Sequence, residues 1–319
     1  MMKLLASLVA SALMAAAASA PAFSQTASTD PHQWKMTAAD TPVRISEHVW
    51  MIKGNPNIAV VVGDRSVLVV DTGLGPKMGA IAAGFAAKLA PGKRIFLTTT
   101  HFHPEHAAGD QGFPAGTTLI RNDVQQAEVE QYGLPMVKSF ADRSEENREL
   151  LKDVAFRTPD VTFHDEVKVD LGGGVTVRLL WFGEAHTQGD ELTFVEPDAT
   201  LVSGDVVQNA TIPTIYTGYG KGGTPTTWLK VVDKIAELHA KHVVPDHSLP
   251  GNDSLVPEER RLIAEIRTSA IAMKAQGVSA EQAGAEISAR LKQEHPDWHS
   301  TDASAFVKSV YLDPDTSAL

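Results

Sequence analysis

The chain has 319 residues, of which 43% are hydrophobic and 21% charged, an ordinary mixture for one large or two modest globular domains. Its formal net charge of −11 argues against a nucleic-acid partner, because binding to a phosphate backbone needs clustered lysine and arginine. The chain contains no cysteine, which excludes disulfides, thiolate ligands and a cysteine nucleophile.

The N-terminus has the pattern of an export signal. Lys3 supplies a positive charge, residues 4–18 form an apolar run, and Ala22-Phe23-Ser24 offers a small-residue cleavage site. The run is shorter than the roughly 20 residues of a membrane span, although a retained anchor is the alternative. We therefore predict a signal peptide at 1–24 and a flexible segment at 25–40. The mature protein is expected in the periplasm or outside the cell, without stable membrane association.

Strand-like and helix-like segments alternate along the first half. Alternating or continuous apolar residues predict strands at 43–52, 57–62, 66–70, 94–100 and 117–121. A helix is predicted at 76–89, where Pro76 opens an Ala-rich stretch and Pro91-Gly92 follows it. Further helices are predicted at 123–132 and 144–154.

The second half repeats this order. It is predicted to be β at 161–181, with a hairpin of 191–195 and 200–203, then a helix at 226–240 and a strand at 242–245. Everything after Pro257 has helical periodicity. Two strand-rich halves, each followed by helices, predict an α/β fold with α/β/β/α layers at 41–252. The helical extension at 253–319 either packs on this domain or makes a dimer contact.

The most informative segment is His101-Phe102-His103-Pro104-Glu105-His106, directly after a predicted strand. Imidazole and carboxylate groups are the ligands that zinc accepts, and His/carboxylate clusters are typical of metal sites. In an extended stretch, side chains two residues apart point the same way, so His101 and His103 converge. Glu105 and His106 can then face a second centre.

Three later segments place candidate ligands after predicted strands: Gly183-Glu184-Ala185-His186-Thr187, Ser203-Gly204-Asp205 and Pro245-Asp246-His247. In this order the motifs resemble the metallo-β-lactamase superfamily, whose signature is His-x-His-x-Asp-His, Gly-x-x-His-Thr, Gly-Asp or Gly-Cys, and Pro-x-His. The resemblance covers about residues 43–252 and includes the turn Asp71-Thr72-Gly73. It implies the four-layer αββα sandwich of that family, with the C-terminal helices as an addition.

The resemblance also implies two zinc ions per chain. Its ligands for the first centre correspond to His101, His103 and His186. Those for the second correspond to Glu105, His106 and His247, with Asp205 bridging the two. Asp71 corresponds to a structural carboxylate that supports the ligand loop.

Two positions depart from the family pattern. The family's aspartate is Glu105 here, one methylene longer, which predicts a second centre that is weaker, displaced or suited to another metal. Asp205 stands where many lactamases carry cysteine or serine, and aspartate there is typical of enzymes that cleave thioesters, lactones and phosphoesters. The layout around Gly183 and His247 is nevertheless closer to class B β-lactamases.

The resemblance predicts a zinc hydrolase in which a metal-activated hydroxide cleaves a small-molecule amide or ester, with Glu105 and Asp205 as catalytic residues. A β-lactam ring is the first choice of substrate, and a lactone or thioester is the alternative. An iron-dependent redox protein and a metal-binding protein without turnover are further alternatives. Candidate substrate contacts follow Asp205 along the chain: Asn209, Tyr216, Tyr219 and Lys221.

Overall fold

The computed structural model describes residues 35–215 and 218–315. Within these residues, two β-sheets pack face to face and helices cover both outer surfaces, so the predicted αββα sandwich is confirmed. The predicted signal peptide at 1–24 lies outside the described residues. No helix in the described part of the chain is both long and apolar enough to cross a bilayer.

The first sheet has seven strands that neighbour one another in chain order. Neighbouring strands are antiparallel from β1 to β4 and parallel from β4 to β7. The strands are β1 (Val43–Arg44), β2 (Val49–Ile52), β3 (Ile58–Val62), β4 (Ser66–Val70), β5 (Arg94–Thr98), β6 (Thr118–Asn122) and β7 (Val161–Phe163).

The second sheet has six strands, again in chain order. All its neighbours are antiparallel except β11 and β12, which run parallel. The strands are β8 (Glu166–Gly172), β9 (Val175–Leu180), β10 (Leu192–Val195), β11 (Thr200–Gly204), β12 (His242–Pro245) and β13 (Gly251–Asn252).

The central strands are buried on both faces, which explains their continuous apolar sequences. All five residues of β4 are buried, and they alternate between two cores with the period of two expected of a strand. Leu68 and Val70 face the second sheet, whereas Val67 and Val69 face the outer helix layer. The sandwich therefore has one core between the sheets and another on each outer face.

Nine α-helices are found in the described residues. They are α1 (Pro76–Leu89), α2 (Pro104–Ala107), α3 (Asp123–Glu128), α4 (Leu134–Ala141), α5 (Glu145–Leu150), α6 (Pro225–Ala236), α7 (Leu255–Ala275), α8 (Ala280–Glu294) and α9 (Ser304–Leu312). The first helix packs on the outer face of the first sheet. The sixth helix covers the outer face of the second sheet.

The C-terminal helices α7–α9 share one apolar cluster with α6. Trp228 on α6 is fully buried, and its ring centroid lies 6.0 Å from that of Phe306 on α9. Ile263 and Ile266 of α7 belong to the same cluster. The extension is therefore packed on the domain, which was one of the two arrangements left open by the sequence.

Several predicted boundaries were wrong. The strand expected at 43–52 is a hairpin of β1 and β2, because the chain reverses direction at Ser46-Glu47. The backbone N–H of Ile45 donates to the Val49 carbonyl and closes this turn. The helix expected at 123–132 is α3 followed by a π-helical turn and then α4, which was not predicted. The helix expected at 144–154 stops at Leu150, after the side chain of Ser144 caps its start.

Candidate metal centre

The candidate ligands meet at one edge of the sandwich because of strand direction. β4 and β5 are parallel, so Asp71 and the loop from His101 leave the first sheet at the same edge. β11 and β12 are also parallel, so Asp205 and His247 leave the second sheet together. β9 runs in the direction of β11, since both are antiparallel to β10, and it delivers His186 to this edge.

The first cluster consists of three buried imidazoles, those of His101, His103 and His186. The Nδ1 atom of His103 lies 3.0 Å from Nε2 of His101 and 3.4 Å from Nε2 of His186. One ring nitrogen from each residue therefore points at a common centre.

The second cluster consists of Glu105, His106 and His247. One carboxylate oxygen and two ring nitrogens lie within 4.8 Å of one another. Glu105 and His106 come from the short helix α2, which begins directly after His103, so residues 101–106 contribute ligands to both clusters.

Asp205 lies between the two clusters. Its Oδ2 atom is 3.3 Å from Nε2 of His186, and its Oδ1 atom is 3.5 Å from Nε2 of His247. Each oxygen thus faces a different cluster, as a bridging ligand would.

The ring nitrogens in the second cluster are arranged as the ligands of one cation would be. Nδ1 of His106 lies 2.8 Å from Oδ2 of Asp71, and Nδ1 of His247 contacts Oδ1 of Asn55. Both Nδ1 atoms therefore face an oxygen acceptor, and the two Nε2 atoms, which lie 3.1 Å apart, are the ring nitrogens left to face a cation. Glu105 adds a buried Oε2 atom with no hydrogen-bond partner among the described residues. This donor set suits divalent cations such as zinc.

Two buried carboxylates support His106 from behind. Oδ2 of Asp246 lies 3.2 Å from its Nδ1 atom, next to Oδ2 of Asp71. The backbone N–H of Thr100 donates to Oδ1 of Asp71 at 2.7 Å, which joins this support to the ligand loop. Asp71 has a φ of 73°, in the left-handed region that aspartate tolerates better than most residues. Sequence reasoning missed Asp246, although the Pro-Asp-His motif contains it.

Burial and neighbouring charges set the protonation of the ligands. Burial, together with the other imidazoles, lowers the pKa of His101 and of His103 well below the usual value, so both rings are neutral, as metal ligands must be. Burial also disfavours the charged form of His106, but the carboxylates of Asp71 and Asp246 outweigh it and raise its pKa well above the usual value.

The loop that carries His186 is held by two further acids that the sequence did not single out. The Asp190 carboxylate accepts the backbone N–H of Thr187 at 3.0 Å, and burial raises its pKa to about 6. The Glu128 carboxylate accepts the backbone N–H of Gly189 at 2.9 Å, and burial raises its pKa to about 8. These bonds explain how a loop places His186 accurately.

A cavity of about 720 Å³ opens beside the second cluster, and Glu105 and His247 form part of its wall. Apolar side chains supply much of the rest of the lining, namely Met36, Leu74, Met78, Ile81, Phe140 and Leu150. Arg143 also lines it, with its guanidinium 3.4 Å from the centroid of the Phe140 ring. Its charge acts on both His103 and Glu105, and it forms no ion pair within residues 35–215 and 218–315. Nothing in the sequence marked Arg143.

Of the predicted substrate contacts, the three that the structure describes are not part of the cavity wall. The side-chain amide of Asn209 donates to the Leu249 carbonyl at 3.0 Å. Tyr219 is half-buried and packs against the apolar cluster around Phe102. Lys221 is exposed and is not part of the cavity wall, and Tyr216 lies outside the described residues. Their roles stay predictions.

Comparisons with known proteins agree with this geometry. The model of the family described as metallo-beta-lactamase superfamily matches residues 51–247. A linear primary-alkylsulfatase from a Pseudomonas species is 24% identical over 219 residues, which are 60% of this chain and 41% of the relative. The chain thus spans less than half the length of that relative.

Solved structures show the same fold. A stereoselective inverting sec-alkylsulfatase, Pisa1 from Pseudomonas sp., superposes with a TM-score of 0.68 at 14% identity, over 85% of this chain and 49% of that one. A metallo-β-lactamase from Pontibacter korlensis superposes with a TM-score of 0.51 at 19% identity, over 70% and 98%. At these identities the likeness concerns the fold alone.

Proposed function

The chain belongs to the metallo-β-lactamase superfamily, and from this premise we propose that it is an exported, two-zinc hydrolase of small anionic esters that carry an apolar tail. A primary alkyl sulfate is the leading substrate. The observation that carries the proposal is the cavity, which joins the candidate metal ligands to Arg143 and to an apolar wall.

The proposed metal assignment follows the two clusters. His101, His103 and His186 would hold one cation, Glu105, His106 and His247 the other, and Asp205 would contact both. Such a pair of cations supplies Lewis acidity, which polarises the ester and makes water nucleophilic at neutral pH.

The protein's own groups then bind and orient the ester. Arg143 pairs with the anionic head, since a guanidinium matches the geometry of sulfate or carboxylate oxygens. Met78 and Ile81 pack against the tail. Oε2 of Glu105, buried beside the reacting groups, accepts the proton of the attacking water. The ester bond breaks as the water oxygen bonds to one fragment, and the proton held by Glu105 passes to the other, so the products are an alcohol and inorganic sulfate.

A tail that lies on the apolar wall gives a measurable chain-length dependence. Each buried methylene contributes roughly 0.8 kcal/mol, which corresponds to about a fourfold change in kcat/KM. The kcat/KM of the zinc-loaded protein should rise in the order ethyl, butyl, hexyl and octyl sulfate, measured below micellar concentrations. A flat series would contradict the role of the wall.

β-Lactam hydrolysis is the second candidate, because Arg143 can equally pair with the carboxylate of a β-lactam and the motif layout around Gly183 and His247 resembles that of class B enzymes. Nitrocefin, an acyl-homoserine lactone and a glutathione thioester should therefore be assayed beside the alkyl sulfates. Faster turnover of nitrocefin than of octyl sulfate would establish the second candidate. Absence of turnover on every substrate, or iron in place of zinc, would overturn the proposal.

A further inference from the structure

Gln208 connects the two loops that carry Asp205 and His247. Its Nε2 atom donates to Oδ1 of Asp205 at 2.8 Å, and its Oε1 atom accepts from the hydroxyl of Ser248 at 2.9 Å. The residue is only 8% exposed, so these bonds are shielded from water. A single amide therefore joins the candidate bridging ligand to the residue next to a candidate ligand of the second centre.

The Ser248 side of this connection is rigid. The backbone N–H of Asn209 donates to the Ser248 hydroxyl at 2.9 Å. The side-chain amide of Asn57 donates to the carbonyls of Pro245 and Ser248, both at 2.9 Å, and so clamps the backbone on either side of His247. Gln208 thus bonds to a segment that is already fixed.

The C-terminal extension holds Gln208 in place. Glu259 on α7 is 3% exposed, and its carboxyl group lies against the backbone N–H of Gln208, while burial raises the pKa of Glu259 to about 8. The helix carrying Glu259 packs on the second sheet through the cluster that contains Ile263 and Ile266. A continuous set of contacts therefore runs from α7 through Gln208 to Asp205.

The rotation of the Asp205 carboxylate matters because its two oxygens face different clusters. Oδ1 lies 3.5 Å from Nε2 of His247, and Oδ2 lies 3.3 Å from Nε2 of His186. The bond from Gln208 to Oδ1 selects one rotation about the Cβ–Cγ bond. Without it, the carboxylate can turn away from one of the two centres.

We infer that Gln208 is a positioning residue that orients Asp205 toward both metal positions, and that Glu259 makes the C-terminal helices part of the metal centre. This inference rests on the proposed pair of cations and not on the identity of the substrate. Outer contacts of this kind change metal affinity or activity by roughly 10–100-fold.

Gln208→Glu tests the inference, because it keeps the acceptor for Ser248 but replaces the donor to Asp205 with a like charge. Cobalt(II) titration followed by absorption spectroscopy reports coordination geometry, and competition with a chelator reports affinity. We expect a changed cobalt spectrum, a second cation bound roughly 10–100-fold more weakly, and a fall in kcat larger than any change in KM. Gln293→Glu makes the same chemical change on the exposed surface of α8 and should match the parent.

Two milder variants keep the test decisive if Gln208→Glu does not fold. Ser248→Ala removes the donor to Gln208, and Glu259→Leu removes the polar group that lies against the backbone N–H of Gln208. Each should shift the cobalt spectrum in the same direction by a smaller amount. Parent-like spectra and affinities in the variants would overturn the inference alone. Failure of the parent protein to bind cations would overturn the proposed function and the inference with it.

Discussion

Asp71→Asn isolates the electrostatic support of His106 from the backbone geometry of Asp71. Asparagine tolerates the φ of 73° nearly as well as aspartate, so the turn should persist. Its carbonyl oxygen can still accept the Thr100 N–H that now bonds to Oδ1 at 2.7 Å. Its NH₂ group then replaces Oδ2 at 2.8 Å from Nδ1 of His106 and sets two donors against each other.

The expected loss follows from this geometry. Asp246 remains as a second acceptor, 3.2 Å from Nδ1 of His106, so the ring is weakened as a ligand and not released. Loss of such a partner lowers metal affinity by roughly 10–100-fold, which is about 1.4–2.7 kcal/mol. The loss should fall on the second cation, which His106 would bind, and leave the first nearly unchanged.

Chelator competition with one and two equivalents of zinc measures the two affinities separately. Asp253→Asn, on the exposed surface, is the matched control. Equal affinity of parent and Asp71→Asn for the second cation would refute the reasoning. A loss confined to the first cation would refute it as well.

Four further outcomes are expected. Glu105→Asp should bind the second cation more tightly if the longer side chain weakens that centre, as chelator competition would reveal, whereas unchanged affinity would mean that the extra methylene is accommodated. Arg143→Gln should raise KM for octyl sulfate at least tenfold while Arg143→Lys retains part of the affinity, and equal KM values would exclude a role in binding the anion. Burial raises the pKa of Glu191 from 4.5 to about 8, so between these pH values the folded state keeps a proton that the unfolded state has lost. The free energy of unfolding should therefore fall as the pH rises from about 4.5 to about 8, and Glu191→Gln should reduce this pH dependence in urea unfolding. Removal of metal should lower the Tm by several degrees, since zinc at about 100 times its Kd stabilises by ~2.7 kcal/mol, and an unchanged Tm in calorimetry would argue against binding to the folded state.

The sequence predicted the fold because local and tertiary preferences agree in most elements. α1 has the predicted limits, since Pro76 starts it and Pro91-Gly92 follows its end. β4 also has its predicted limits, because it is a continuous apolar run between polar turns. The predictions failed where tertiary contacts decide. The separation of β1 from β2 depends on pairing within the hairpin. The helix α4 follows a π-helical turn, which the hydrophobic periodicity of the sequence does not predict.

The candidate ligands could be found because each follows a strand within a recognisable motif. The residues that support these ligands could not be found in the same way, because their contacts depend on which distant segments of the chain meet in the fold. Gln208 reaches Asp205 across three residues but Ser248 across 40, and Arg143 reaches the cavity from the end of α4. Asp246 is the exception, because it lies inside the Pro-Asp-His motif and only its role was missed.

The most direct test is anomalous diffraction from crystals of the zinc-loaded protein, collected on both sides of the zinc absorption edge. The account predicts two zinc peaks, one bounded by His101, His103 and His186 and the other by Glu105, His106 and His247, with Asp205 in contact with both. A single peak, peaks at another place in the fold, or seven side chains that coordinate nothing would contradict it.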